Sequence, residues 1–370
     1  MEHIIKMGIK GLNKLITKYS PLSISTVNLV DLKGKKIAID SELLLHKFRN
    51  YDNSKNSHIF GFINNINIFL KNGILPVYVF DGVPSVAKQK NAILKRTQTK
   101  EFINKKIEEL ENEFIEKLNK KKPFEFIDSD INEILDKLQK NQTKISSVTK
   151  DHRKECKYLL KLLGIPYIVA NEDAEALCVS LQFNGIVDYV YSDDTDVIPY
   201  FVSCYKDQQT ITTEITILRG KLVDSVFESV SVNKILEDFD MTPREFVDMC
   251  ILCGCDFCEG IFKIGPNNAY KFIKDYNNIE NLKDILNYDE SFNYTDARNV
   301  FFKDHNLPIS NIELGTIKYD ELVLYLRNER NINPLPIIDK YSKIYDIYKK
   351  KLIDQSNIHS FSSGINIEIC

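Results

Sequence analysis

Short apolar runs that end on an aspartate recur along this chain, and they constrain its fold more than any other feature. "KKIAID" (35–40) closes on Asp40, and "ILPVYVFDG" (74–82) reaches Asp81 before a glycine turn. "IVDYVYS" is followed directly by Asp193, Asp194 and Asp196, after which hydrophobic residues resume. Runs this short and this rich in β-branched residues read as buried strands. Helical patterns lie between them: the apolar stretch 58–70, "KECKYLLKLLG" closed by Gly164 ahead of the strand "IPYIVA", and the capped segment "NEDAEALCVSLQFNG". Such βα alternation predicts an α/β fold with a mostly parallel central sheet flanked by helices.

In an open parallel sheet the carboxyl ends of the strands share one edge, where ligands bind. Asp40, Asp81, Asp194 and Asp196 are therefore expected to converge. Asp173 and Glu175 open the helix after "IPYIVA" and belong at the same edge. Asp256 follows the helix end expected at Cys253–Gly254. Residues two apart do not share a face of a regular helix, so Asp173 joins Glu175 only from an irregular first turn; Glu172 is the better helical partner. One aspartate after a strand is ordinarily a cap or a turn residue, but capping does not require repeated use of one sheet edge. Two carboxylates about 4 Å apart repel by roughly 4 kcal/mol at an effective dielectric near 20, so such a cluster calls for a cation. Oxygen ligands without histidine or cysteine select a hard ion, Mg²⁺ with Mn²⁺ able to substitute. More than four acids suggest two ions, the arrangement that clamps attacking and leaving oxygens in phosphoryl-transfer hydrolysis.

The 370 residues, 43% hydrophobic and 27% charged with a net charge of −3, have an ordinary globular composition. No apolar run reaches the roughly 18 residues of a membrane span, and "MEHIIKMGIK" lacks the apolar centre of a secretory signal. The eight cysteines form no secreted disulfide frame, which points to reduced thiols in an intracellular setting. Residues 88–122 hold 11 lysines and arginines against six glutamates. Within them Ile103, Ile107, Leu110, Phe114 and Leu118 trace an amphipathic helix, with Glu113–Lys117 as a supporting pair. "MTPREFVDMCILCGCDF" opens on Thr242 as N-cap and Pro243 at the first helical position. "CILCGCDFC" looks superficially like a zinc knuckle, but its middle lies inside that helix with no second ligand pair, so buried thiols are expected.

These stretches resemble the flap-endonuclease-type, structure-specific 5′ nucleases. The resemblance rests on "MGIKGLNKLI", "GKKIAID", "PVYVFDG", "KECKYLLKLLGIPYIVANEDAEA", "YSDDTDVI" and "EFVDMCILCGCDFCEGIFKIGPNNA", in the family's order across about 7–275. It places the family's metal-binding acids on Asp40, Asp81, Asp173, Glu175, Asp194, Asp196 and Asp256. The first four surround one Mg²⁺, and Asp194, Asp196 and Asp256 lie nearer a second, with Glu175 shared. Asp173 stands where the family usually has glutamate, one methylene longer. Asp193 and Glu172 are bystanders. The resemblance also implies a basic helix behind "FDG" that grips the scissile phosphate through Lys88 and through Arg96, or Lys95 in an ungapped alignment. It further implies an arch for a single strand and a helix–two-turn–helix at "IFKIGPNNA" that binds duplex phosphates near Gly265. In that turn a family glycine falls on Lys263, and K⁺ is expected there. His46 lies where an aromatic stacks on a base. The family's start corresponds to Met7, placing Gly8 close to the site.

The expected organisation is one nuclease core: an N-terminal nuclease region (7–96), a helical arch (97–150), an internal nuclease region (151–235), the helix–two-turn–helix region (236–300) and a C-terminal extension (301–370). The implied activity is Mg²⁺-dependent hydrolysis of DNA phosphodiesters at 5′ flaps or single-strand/duplex junctions, by in-line attack of a metal-activated water. A 5′–3′ exonuclease, a junction resolvase and a non-catalytic DNA-binding scaffold are the alternatives. A phosphatase using Asp194 as nucleophile lacks its other motifs. Gln355, Ile358 and Phe361 sketch a sliding-clamp peptide with Ser362 in place of its second aromatic. A monomer is expected, in the nucleus or a viral replication compartment.

Overall fold

Side chains along the central strands alternate between two apolar layers, and this alternation builds the molecule. The computed structural model describes residues 8–51, 54–119, 132–138, 148–205, 214–220, 225–289, 292–309 and 311–362; for 50–51, 86–87, 90–96, 98–100, 118–119 and 352–362 it describes the backbone alone. The seven strands are β1 (Ile24–Asn28), β2 (Lys36–Asp40), β3 (Leu75–Phe80), β4 (Tyr167–Val169), β5 (Tyr189–Tyr191), β6 (Thr216–Arg219) and β7 (Val226–Ser231). They form one sheet in the order β1-β7-β6-β5-β2-β3-β4. The pairs β5–β6, β2–β5, β2–β3 and β3–β4 are parallel, while β7 joins β6 and β1 antiparallel. The parallel core agrees with the sequence; the antiparallel extension was not foreseen.

Ala38, Val77, Val79, Val190 and Ile217 point into one core. Ile37, Ile39, Tyr78, Phe80, Tyr191 and Leu218 point into the other. Strands buried on both faces read as continuous apolar runs, as these do.

The helices are α1 (Leu12–Tyr19), α2 (Ser41–Tyr51), α3 (Ser57–Lys71), α4 (Val86–Asn119), α5 (132–138), α6 (Lys150–Leu163), α7 (Ala174–Phe183), α8 (Val197–Cys204), α9 (Val232–Phe239), α10 (Pro243–Cys253), α11 (Pro266–Tyr276), α12 (Lys283–Leu286), α13 (Tyr294–Phe302), α14 (Tyr319–Leu324) and α15 (Leu335–Ser362). The expected amphipathic segment lies within the 34-residue α4. Its Leu110, Ile107 and Phe114 pack on Ile134 and Leu138 of α5, and Glu113 pairs with Lys117 at 3.5 Å. Thr242 and Glu245 form the capping box of α10 behind Pro243, and Gly164 ends α6 in the left-handed region. The C-terminal stretch, mixed in pattern, is dominated by α15. Its Tyr341 and Tyr345 are buried, and their hydroxyls donate to Leu163 O and Gly315 O, each at 2.5 Å.

The chain runs outward from β2 to β3 and β4, then returns to lay β5 and β6 on the other side of β2. The reversal of direction falls between β2 and β5, the point at which an open α/β sheet forms its ligand crevice, outside the carboxyl ends of the strands.

Candidate active site

Asp40 is the last residue of β2, at that crevice. Its Oδ1 accepts the backbone N–H groups of Glu42 at 3.0 Å and Leu43 at 3.4 Å, capping α2. Asp81 follows β3. Beside it a Cβ on Gly82 would lie 2.0 Å from Ala170 O, so only glycine lets the chain pass this close. Gly82 and Val83 donate their amides to Glu172 O at 2.7 Å and Asn171 O at 3.0 Å, fastening the end of β3 to the loop before α7. Asp81 Oδ1 then accepts the amide of Ala174 at 2.9 Å. Asp173 is the N-cap of α7, with φ −87° and ψ 134°. This is the irregular position that lets a residue two before Glu175 share its pocket. Asp81, Asp173 and Glu175 each offer an oxygen within 4.8 Å of the others.

Beyond β5, Asp194 Oδ1 accepts the amide of Asp196, the N-cap of α8, at 3.0 Å. Asp256 lies in the turn after α10. The two loci are one electrostatic unit. Burial raises the Asp40 carboxyl to about 8, with Asp81, Asp194 and Glu42 adding to it. Burial also raises Asp81 to about 6, against the pull of Lys88. Asp194 goes to about 6 through burial and then the charge of Asp256. Glu175 is pushed well up by burial, opposed by Lys88 and reinforced by Asp40, Asp81 and Asp173.

Lys88, on the first turn of α4, places Nζ 2.5 Å from Asp173 Oδ1 and 3.9 Å from Glu175 Oε2. Burial pulls its ammonium down, but Glu175, Asp81 and Asp173 outweigh that and raise it well above its ordinary range. Glu175 Oε2 is buried and accepts no hydrogen bond. An all-carboxylate set that one lysine only partly neutralises, with an orphaned buried oxygen, fits a hard divalent cation.

The other expected residues are placed as follows. Gly8 has φ 87°, and a Cβ there would fall 2.2 Å from Asp194 Oδ1, so the N-terminal segment touches the acids. His46 is half-buried on α2. Lys95 and Arg96 lie on α4, with side chains outside the described residues, as are the side chains of Gln355, Ile358 and Phe361 on α15; Met7 lies outside entirely. Gly265 is the N-cap of α11, and no atom lies within 4 Å of a Cβ placed on it. Lys263 adopts φ 66° in the preceding turn. Asp193 accepts the amide of Gly220 at 2.8 Å and pairs with Lys47. Glu172 pairs with Lys303 at 2.8 Å rather than with the cluster. Cys250, Cys253, Cys255 and Cys258 are buried thiols outside any disulfide, and burial lifts Cys253 to about 12.

Three contributors escaped the sequence reading. Glu42 is buried close enough to raise Asp40 and Asp81, and Arg153 Nε holds its Oε1 at 2.6 Å. The buried Tyr200 donates its hydroxyl to Asp173 Oδ2 at 3.1 Å. The positions of Glu42, two after Asp40, and of Tyr200, four after Asp196, are a signal only once the fold is known.

A carboxylate pocket at the direction change of the sheet's parallel strands suits metal-assisted hydrolysis of phosphodiesters. Residues 7–103 match the XPG N-terminal domain and residues 164–256 the XPG I-region. Flap endonuclease 1 of Lodderomyces elongisporus is 31% identical over 329 residues, 83% of this chain and 78% of that protein. Flap endonuclease 1 of Enterocytozoon bieneusi is 30% identical over 383 residues, 96% and 99% of the two chains. The solved catalytic core of Rad2 in complex with DNA substrate shares the fold, with a TM-score of 0.65 at 20% identity, covering 91% of this chain and 100% of that one. The chain belongs to the flap endonuclease/XPG family and is a structure-specific 5′ nuclease.

Proposed function

We propose that this nuclease works with two Mg²⁺ ions, Mn²⁺ substituting, held by Asp40, Asp81, Asp173 and Glu175 on one side and by Asp194, Asp196 and Asp256 on the other, with Glu175 between. The observation that carries this reading is Glu175 Oε2, buried without a hydrogen bond inside a cluster of carboxyls raised by burial and then by each other's charge. When bound, such ions activate a water and neutralise charge on the phosphate. The chain's own residues do the rest. Lys88 stands within reach of the same pocket and stabilises charge that develops on the phosphate, with Arg96 or Lys95 about two turns further along α4 gripping it. Backbone amides of Glu42, Leu43, Ala174 and Asp196 fix the carboxylates of Asp40, Asp81 and Asp194, so little reorganisation is needed when a phosphate arrives. Gly8 lets the N-terminal segment lie against Asp194 without a side chain in the way.

The same reading assigns the single strand to the arch of 97–150, between the nuclease regions 7–96 and 151–235. The duplex goes to the helix–two-turn–helix of 236–300, where the open approach to Gly265 suits a phosphate on the N-terminus of α11. K⁺ would bind in that turn, and His46 would stack on a base near the cut. The extension 301–370 carries the candidate clamp peptide 355–361. The enzyme acts as a monomer, in a nucleus or viral replication compartment.

The test is cleavage of a 5′-labelled flap substrate with Mg²⁺, Ca²⁺ or chelator, beside nicked and four-way DNA. Release of the flap only with Mg²⁺ or Mn²⁺, abolished by Asp194→Ala, is the expected result. Preference for nicked or four-way DNA would reassign the substrate to exonuclease or junction-resolving activity. Cleavage in chelator would end the metal reading.

A further inference from the structure

An aspartate at a helix N-cap ordinarily turns its carboxylate onto the first-turn amides, which a helix leaves without intrahelical partners. Asp173 occupies the N-cap of α7 and makes no such bond. The amide of Ala174 is taken by Asp81 instead, and both oxygens of Asp173 go to other elements: Oδ1 to Lys88 Nζ at 2.5 Å and Oδ2 to the Tyr200 hydroxyl at 3.1 Å. Tyr200 is well fixed for this task. It is 2% exposed, and its ring meets Phe301 at 5.0 Å, His305 at 5.4 Å and Phe257 at 6.2 Å in edge-on contacts.

The second observation is the length of the side chain. Asp173 stands one methylene short of the glutamate that the family resemblance puts at this position. A shorter carboxylate at an N-cap is better placed to fold back on its own helix and worse placed to reach the pocket. A buried hydroxyl on the far side offsets both tendencies.

We propose that Tyr200 is a positioning residue: its hydroxyl holds the short Asp173 carboxylate off the α7 cap and turned into the acid cluster, and so sets divalent-ion affinity on the Asp81–Asp173–Glu175 side of the site. The inference rests on the metal reading above. Two corollaries follow from the geometry. Removing the hydroxyl frees Asp173 to cap α7, which compensates the fold for the lost bond while withdrawing a ligand from the pocket. Lengthening Asp173 to glutamate with the hydroxyl in place crowds Oδ2's present partner, whereas lengthening it without the hydroxyl restores reach.

The experiment titrates the full-length protein, without DNA, with Mn²⁺ by calorimetry, using wild type, Tyr200→Phe, Asp173→Glu and the double variant. Melting in chelator and kcat and KM on a flap substrate are read alongside. Tyr200→Phe is expected to bind Mn²⁺ about tenfold more weakly, the scale of losses from residues behind a metal ligand. Its kcat falls, while its KM for DNA and its melting temperature in chelator stay near wild type. Asp173→Glu alone also binds more weakly, and the double variant recovers most of the affinity. Tyr200→Phe titrating like wild type, or a double variant no better than the product of the two singles, overturns the inference. A lowered melting temperature in chelator with no recovery in the double variant makes Tyr200 a packing residue and overturns it too. Wild-type protein that takes up no Mn²⁺ sinks the metal reading and this inference together, whereas uptake by wild type that Tyr200→Phe matches sinks only the inference.

Discussion

Asp81 accepts the backbone N–H of Ala174 at 2.9 Å, so an acid at the end of one strand caps the helix that carries Glu175. Capping a helix and offering an oxygen to the acid cluster are thus not rival roles for this residue. One oxygen is fixed by the helix, and the carboxylate faces Asp173 and Glu175.

Substitutions at Asp81 should separate the two roles. Asp81→Asn keeps an acceptor for Ala174 but removes a charge from a repelling cluster. Asp81→Ala removes both. In chelator, the asparagine variant should be at least as stable as wild type in urea denaturation, and the alanine variant about 1 kcal/mol less stable than the asparagine variant. Both should lose most flap cleavage. Equal stability of the two variants would show that the cap contributes nothing.

The metal-free protein should lose stability as pH rises. The Asp40 carboxyl lies at about 8 in the fold against an ordinary 3.8, and Asp81 and Asp194 lie at about 6. All three folded values are raised, so the folded state holds protons that the unfolded chain releases. Their contribution is therefore complete below the unfolded value and is lost as pH climbs through the folded ones. Melting in chelator should fall between about pH 4 and pH 8, and Mg²⁺ should flatten the decline at the upper end, where it replaces the protons. Melting curves in chelator that are flat from pH 5 to 8 would contradict the repulsion.

Much of the site was legible because its chemistry repeats. Asp40 ends a strand buried on both faces, Asp81 and Asp194 come just after two others, and such strands write themselves as apolar runs. β1 and β7 were not legible for the opposite reason. "ISTVN" is largely exposed and "VFESVS" mixes exposed with buried positions, so neither stands out from a loop, and their pairing joins residues about two hundred positions apart. α15 hides its helical face in tyrosines, Tyr341, Tyr345 and Tyr348, whose spacing is clear only beside α3 and α6. Tyr200 looks like one more apolar residue of "DVIPYF". Its hydroxyl acquires a role only because α8 brings it beside Asp173.

A second network should govern stability where α13 packs on α10. Arg298 of α13 holds the fully buried Asp248 of α10 through Nε and Nη2, both at 2.7 Å, and reaches Glu280 through Nη1 at 2.6 Å. Asp248 also accepts the amide of Ile279 at 3.3 Å. Arg298→Ala leaves a buried carboxylate without its cation and should cost about 3–5 kcal/mol in urea denaturation. Replacing both partners together, as Arg298→Met with Asp248→Leu, should cost clearly less than the single change. A double variant as unstable as the single would mean that packing, not the unpaired charge, sets the loss.

Lys263 carries the sharpest tension between fold and ligand. It sits at φ 66°, where an L side chain costs about 1–2 kcal/mol, next to Phe262, which is 85% exposed with the lysine Nζ 5.3 Å from its ring. Glycine would remove that strain but loosen the unfolded chain by about 0.4–1 kcal/mol, so Lys263→Gly should leave stability unchanged or raise it by up to about 1.6 kcal/mol. If the lysine is kept because this turn meets duplex phosphates, the same variant should bind duplex DNA more weakly whatever its sequence. The slope of log affinity against log salt should then become shallower by about one. Binding measured across a KCl series reads both quantities. Unchanged affinity and slope, together with the gain in stability, would show that the strained lysine faces away from the DNA.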